Sequence, residues 1–163
     1  MFFSSLNLME SFAVEWTEWT VNKVMFWEED PVRKGKILRY IHNFLSNTLL
    51  IFIVISHTLY PAFWLQTVIL FICLLVWLQQ VACNGCVISK VEQKLIGDTE
   101  SFVTPILEVF HLEPTTEIST VFIIVGSTLV VFLLGLEWLA RVHHKMIPLV
   151  ASLRSRLLET WRA

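Results

Sequence analysis

The run Leu49-Leu50-Ile51-Phe52-Ile53-Val54-Ile55 carries no polar side chain. Followed outward, it belongs to an apolar stretch from about Ile37 to Leu59. Two more follow, from about Ala62 to Val81 and from about Ile118 to Ala140. A helix rises about 1.5 Å per residue, so about 20 residues cross roughly 30 Å of hydrocarbon. All three stretches are long enough. Lipid offers no partner to free N–H and C=O groups, so the backbone there has to be helical. The expected fold is all-α, an integral membrane protein with three transmembrane helices.

Composition points the same way. The 163 residues are 55% hydrophobic and 16% charged, with a mean hydropathy of +0.65. A soluble domain carries roughly 25% charged residues. This chain has too few to cover a globule, which argues against a water-soluble enzyme. A net charge of −2 without a basic stripe argues against a nucleic-acid partner. The apolar content argues against disorder.

Punctuation residues divide the chain. Asp30-Pro31 reads as a helix start, because Asp accepts from orphan N–H groups and Pro has none to satisfy. Tyr60-Pro61 ends the first span and opens the second, giving a tight hairpin. Cys83-Asn84-Gly85-Cys86 ends the second, since Asn-Gly favours positive φ. Pro114 precedes the third. The expected organisation is an amphipathic N-terminal helix over 1–30, a membrane domain over 31–147 with a loop at 82–117, and an amphipathic helix over 148–163. Within the loop, Val87, Ile88, Val91 and Leu95 predict a short helix stopped by Gly97. Phe102 to Leu112 is too short to span and reads as interfacial or re-entrant.

The first thirty residues hold one basic side chain, Lys23, and six acids. That pattern fits neither a transit peptide nor a cleaved signal peptide. Three spans put the termini on opposite faces. Seven Lys and Arg fall on the N-terminal side and five on the other, and the cluster Arg33, Lys34, Lys36, Arg39 adjoins the first span. The positive-inside rule then places the N-terminus on the cytoplasmic-equivalent side.

Two tails offer surface to partners. Met9, Phe12, Trp16, Trp19, Val24 and Trp27 make an apolar stripe, with Glu10, Glu15 and Glu18 largely on the other face. Such a stripe must be buried on lipid, on a partner or on this chain's own loop. At the other end Leu149, Val150, Leu153, Leu157 and Trp161 make a second stripe beside Arg154, Arg156 and Arg162. Pro148 suits the first position of that helix. A basic polar face suits a membrane surface.

Cys83-x-x-Cys86 is the only chemical motif of weight. The layout sets His42 and His111 on the same side, so a structural zinc site of Cys83, Cys86, His42 and His111 is one reading. A redox pair is another. Two small residues at a helix end is the plain one. Glu137 and Arg141 read as an i,i+4 pair. His57 is a candidate channel-lining residue.

The stretch His57-Thr58-Leu59-Tyr60-Pro61-Ala62-Phe63-Trp64, then Trp77, then Gly85-Cys86-Val87-Ile88-Ser89-Lys90-Val91-Glu92 resembles small uncharacterised membrane proteins of large DNA viruses and algae. The resemblance covers about residues 40–95. It implies a Cys-apolar-apolar-Ser-x-x-Glu segment just after a hairpin of spans, and it selects Cys86 over Cys83. Cys86, Ser89 and Glu92 then share one helix face as a structural corner, their side chains satisfying one another or capping a neighbouring helix end.

Three spans leave little interior for a substrate. The expected role is non-enzymatic: an accessory or scaffold subunit in a hetero-oligomer of membrane proteins, with bound lipids and no catalytic residues. A thiol or metal protein built on Cys83 and Cys86, and a small homo-oligomeric channel, are the alternatives.

Overall fold

The structure is a computed structural model. It describes residues 2–98, 103–113 and 115–160, with side chains over 8–98, 103–113 and 115–147. Among these residues six α-helices follow in order: α1 Phe2–Val24, α2 Pro31–Val54, α3 Phe63–Ala82, α4 Val87–Ile96, α5 Thr104–Val109 and α6 Thr116–Thr160. Among the described residues there is no strand. Three stretches among the described residues are long and apolar enough to cross a membrane: Pro31–Leu59, Phe63–Ala82 and Thr116–Ile147. They agree with the three apolar stretches of the sequence.

The expected boundaries have their expected chemistry. Asp30 caps α2, its Oδ1 accepting from Val32 N at 3.0 Å. The α2 helix does not stop at Ile55 but winds one π turn, Ile55–Leu59, closed by Tyr60 N donating to Ile55 O at 2.8 Å. π turns are rare and interrupt helices locally. Asn84 and Gly85 take positive φ, 47° and 122°, and break the chain between α3 and α4. Gly97 ends α4 in the left-handed conformation.

One boundary differs. The sequence predicts a separate amphipathic helix over 148–163, with Pro148 at its first position. Instead α6 runs unbroken from Thr116 through Pro148 to Thr160. A proline inside a helix removes one hydrogen bond and crowds the preceding turn. Leu149, Ala151, Leu153 and Arg154 after it, and Lys145 and Met146 before it, are strong helix formers that offset a single lost bond. The side chains of Leu153 and Leu157, and all of Trp161, lie outside the described residues, as does Pro114.

α3 and α6 pack antiparallel. Trp77 Nε1 donates to Thr128 Oγ1 at 2.8 Å, and Trp138 Nε1 donates to Thr67 Oγ1 at 2.9 Å. Ten residues separate the two partners on each helix, so the bonds pin both ends of the pair. Between them Ile69, Cys73 and Leu134 form the core, with Leu65, Leu70 and Val130 around it. At the far end Glu137 accepts from Arg141 at 2.7 Å and from Gln66 at 3.5 Å, and meets His57 at 3.4 Å. The i,i+4 pair is present, and His57 is occupied by it.

α2 leans the other way at its N-terminal end, onto α4. Gly35 makes this possible. A Cβ there would stand 2.6 Å from Ile96 Cγ1 and 2.9 Å from Leu95 Cβ. α1 then lies on α4. Val21, Met25 and Val91 form a second small core, with Val14, Leu38 and Leu95 around it. Glu10 pairs with Lys90, and Lys94 donates to Glu18 at 2.6 Å. The acidic face of α1 therefore faces this chain's own loop. Phe12, Trp16 and Trp19 point away, 68%, 60% and 57% exposed.

Candidate active site

Gly35, Arg39 and His42 follow one another at spacings of four and three, on one face of α2. Cys86, Ser89 and Glu92 follow at three and three, from the N-cap of α4 into its second turn. The close crossing at Gly35 presses these two faces together. The result is a chain of side chains across the α2–α4 contact.

Cys86 Sγ lies 3.5 Å from His42 Nε2. His42 Nδ1 lies 3.3 Å from Glu92 Oε2. Glu92 is fully buried, and its Oε1 faces Arg39 Nε at 3.8 Å. Arg39 then grips Asp98 with two bonds, 3.0 Å and 2.5 Å. A buried carboxyl has to be compensated by hydrogen bonds or charge; His42 supplies a hydrogen bond at Oε2 and Arg39 a charge near Oε1. A nucleophile, a base and an acid that orients the base is the arrangement of a catalytic triad, recognised by geometry and not by order in the chain.

The electrostatics suit a nucleophile. Burial pushes the Cys86 thiol up. The hydrogen bond and charge of His42, helped by the Ser89 backbone N–H and hydroxyl, outweigh it and hold the thiol below its ordinary value. The helix N-terminus adds a partial positive charge at the same point. Cys73 shows the contrast: burial alone surrounds it, in the middle of α3.

A groove of about 350 Å³ opens at this site, lined at its mouth by His42, Cys86, Ser89 and Gln80. It continues between α2 and α6. Leu49 and Ile53 of α2, Val76 of α3, and Ile123 and Val130 of α6 line its walls. Val103 and Ile106 at the start of α5 line it as well. The apolar 102–112 segment thus includes a six-residue helix, α5, packed by a fully buried Leu107.

The four residues read as zinc ligands do not converge. His42 uses its two nitrogens on opposite ring edges, one for Cys86 and one for Glu92. Cys83 is buried, and its carbonyl accepts from Lys90 Nζ at 2.8 Å. His111 stands exposed just past α5. Among the described residues no group of three or more His, Cys, Asp or Glu side chains is placed to hold a metal. Sequence reasoning joined His42 to Cys86, but under metal chemistry. It counted Arg39 only as a topology charge and passed over Gly35. The spacing Gly35–Arg39–His42, facing a Cys–Ser–Glu face of similar length, was the signal.

Comparison with protein-family models, with curated proteins and with solved structures finds no match for this chain.

Proposed function

We propose that this chain is a membrane-embedded thiol enzyme of the acyl-transfer class. Cys86 is the nucleophile, His42 the base that takes its proton, and Glu92 the group that orients His42. The single observation behind this reading is the Cys86–His42–Glu92 geometry, 3.5 Å and 3.3 Å across the two contacts. Arg39 is a positioning residue: it holds Glu92 from the side away from His42. Two spans separate the N-terminus from Cys86, so both lie on one face. The positive-inside rule makes that the cytoplasmic-equivalent face, where thiols stay reduced. All three cysteines are free in the structure.

The test is acetylation of the protein, reconstituted in lipid nanodiscs, by a small acetyl thioester, read by intact mass. One acetyl group on Cys86 is expected. Removing a positioned base typically costs about 10²–10⁴-fold, and His42→Gln is expected to slow acetylation within that range. Cys83→Ser is expected to leave it intact. Equal acetylation of the wild-type and His42→Gln proteins would sink the proposal.

A second reading is supported by α1. Its aromatic stripe faces outward although its acidic face already has partners. In this reading the chain is a non-enzymatic accessory subunit, joined through Phe12, Trp16 and Trp19 to other membrane subunits and lipids in a hetero-oligomer. The native mass after gentle extraction tests it: a fixed-stoichiometry assembly supports it, a lone chain removes it.

A further inference from the structure

The groove carries information that the thiol alone does not. Cys86, His42, Ser89 and Gln80 line its mouth, and beyond them the lining is mostly apolar, with the hydroxyls of Ser46 and Ser127 along the walls. From His42 to Ile53 it follows eleven residues of α2, about 16 Å of helix. That is roughly half the thickness of bilayer hydrocarbon. Its deeper lining comes from stretches apolar enough to span. A water-soluble substrate would have no use for such depth.

Two further observations point to an occupant. Gly126 lines the groove, and a Cβ placed on it meets nothing within 4 Å. The helix surface is thinned there and the space is left open. At the mouth, Gln80 is only 8% exposed, and its Oε1 has no hydrogen-bond partner. A buried polar group without a partner is costly and asks for a ligand. A side-chain amide is read with its oxygen and nitrogen interchangeable. Turned by half a rotation, it offers an N–H₂ in the lining that it shares with Cys86, the kind of donor that an oxyanion needs.

We infer that the groove seats one fatty-acyl chain of a bilayer glycerolipid, with its ester carbonyl at the mouth between Cys86 and Gln80. This rests on the thiol reading above. His42 takes the proton of Cys86. The sulfur attacks the ester carbonyl carbon, a C–S bond forms and the C–O bond to glycerol breaks. His42 returns its proton to the departing glycerol oxygen. The products are an acyl-Cys86 thioester and a lysolipid. Water or an acceptor hydroxyl then takes the acyl group and restores the thiol. No electrons change hands. The groove bears the chain, and Gln80 bears the charge that develops on the carbonyl oxygen.

The experiment places the protein in nanodiscs of phosphatidylcholine with isotope-labelled palmitoyl chains. Labelled lysolipid and labelled palmitoyl-Cys86 are measured by mass spectrometry. Parallel samples in unlabelled lipid receive soluble acyl thioesters of two, eight and sixteen carbons. Label on Cys86 from the lipid is expected. Burial of one methylene is worth about 0.8 kcal/mol, or about fourfold, so the sixteen-carbon donor is expected to outrun the two-carbon one by tenfold or more. Gly126→Leu and, independently, Ser127→Leu put side chains into the groove and are expected to lower that ratio to near one. Gly135→Leu, in the same helix outside the groove, is expected to keep it. Acetylation without chain-length preference would overturn the groove inference and leave the thiol enzyme standing. Chain-length preference with soluble donors, but no label from the lipid, would overturn the glycerolipid as source. Failure of even the two-carbon donor would overturn the thiol reading itself.

Discussion

At Cys86 opposing influences on one sulfur meet: burial, a neighbouring imidazole and a helix N-terminus. Burial favours the neutral thiol, and the other two favour the thiolate. The net effect holds the thiol below its ordinary value. The thiolate is the form that reacts, so reactivity is present above the depressed value and fades as pH falls through it. The alkylation rate of Cys86 with iodoacetamide is expected to reach half its maximum below the ordinary thiol value of about 8.5. In His42→Ala the burial loses its main opponent, and that midpoint is expected to move upward. A midpoint unmoved by the substitution would separate Cys86 from His42. The sequence made parts of this residue set legible. Cys86, Ser89 and Glu92 fall on one face by spacing alone. His42 shares their side of the membrane by span counting. That His42 touches Cys86 on one nitrogen and Glu92 on the other depends on the height at which α2 crosses α4, and no periodicity within either helix reports that height.

Among the elements, the α2–α4 crossing sets the site. Gly35 is its contact point, and a methyl group there has no room. Alanine is favoured over glycine inside a helix by about 0.5–1 kcal/mol. Overpacking typically costs about 1–3 kcal/mol. The second effect is the larger, because Leu95 Cβ cannot swing aside as a chain end would. Gly35→Ala is expected to destabilise the protein by about 1 kcal/mol in denaturant unfolding. It is also expected to slow Cys86 alkylation as α4 lifts away from His42. A gain in stability would mean that the crossing is looser than it stands here. The helices themselves were readable in the sequence, because caps, prolines and glycines act within a few residues. The face on which α1 packs was not. The apolar stripe of α1 is the obvious candidate for burial, yet Val14, Val21 and Met25 take that place. Lysines on α4 meet the glutamates of α1, and a charge match between distant segments carries no local signature.

For the molecule as a whole, if all three apolar helices cross a bilayer, residues before α2 and residues near the end of α6 lie on opposite faces. Single cysteines introduced at Glu28 and at Lys145, in a chain otherwise free of cysteine, are expected to react with a membrane-impermeant maleimide from opposite sides of sealed vesicles. Labelling of both from one side would remove one of the three crossings. Composition alone made this level legible, since an apolar chain of this length has few ways to hide its backbone polar groups. The groove was not legible. It exists because α2 tilts toward α4 while α6 stays zipped to α3, and the space between them belongs to no single stretch of sequence.

The continuity of α6 has a mechanical meaning. Its 45 residues amount to a rod of about 68 Å, more than twice the roughly 30 Å of hydrocarbon. If the stretch to Ile147 crosses the bilayer, the same helix carries thirteen further residues to Thr160, about 20 Å of length beyond the end of the spanning stretch. That length gives the end of α6 reach, which bears on what it can touch as much as any affinity for headgroups.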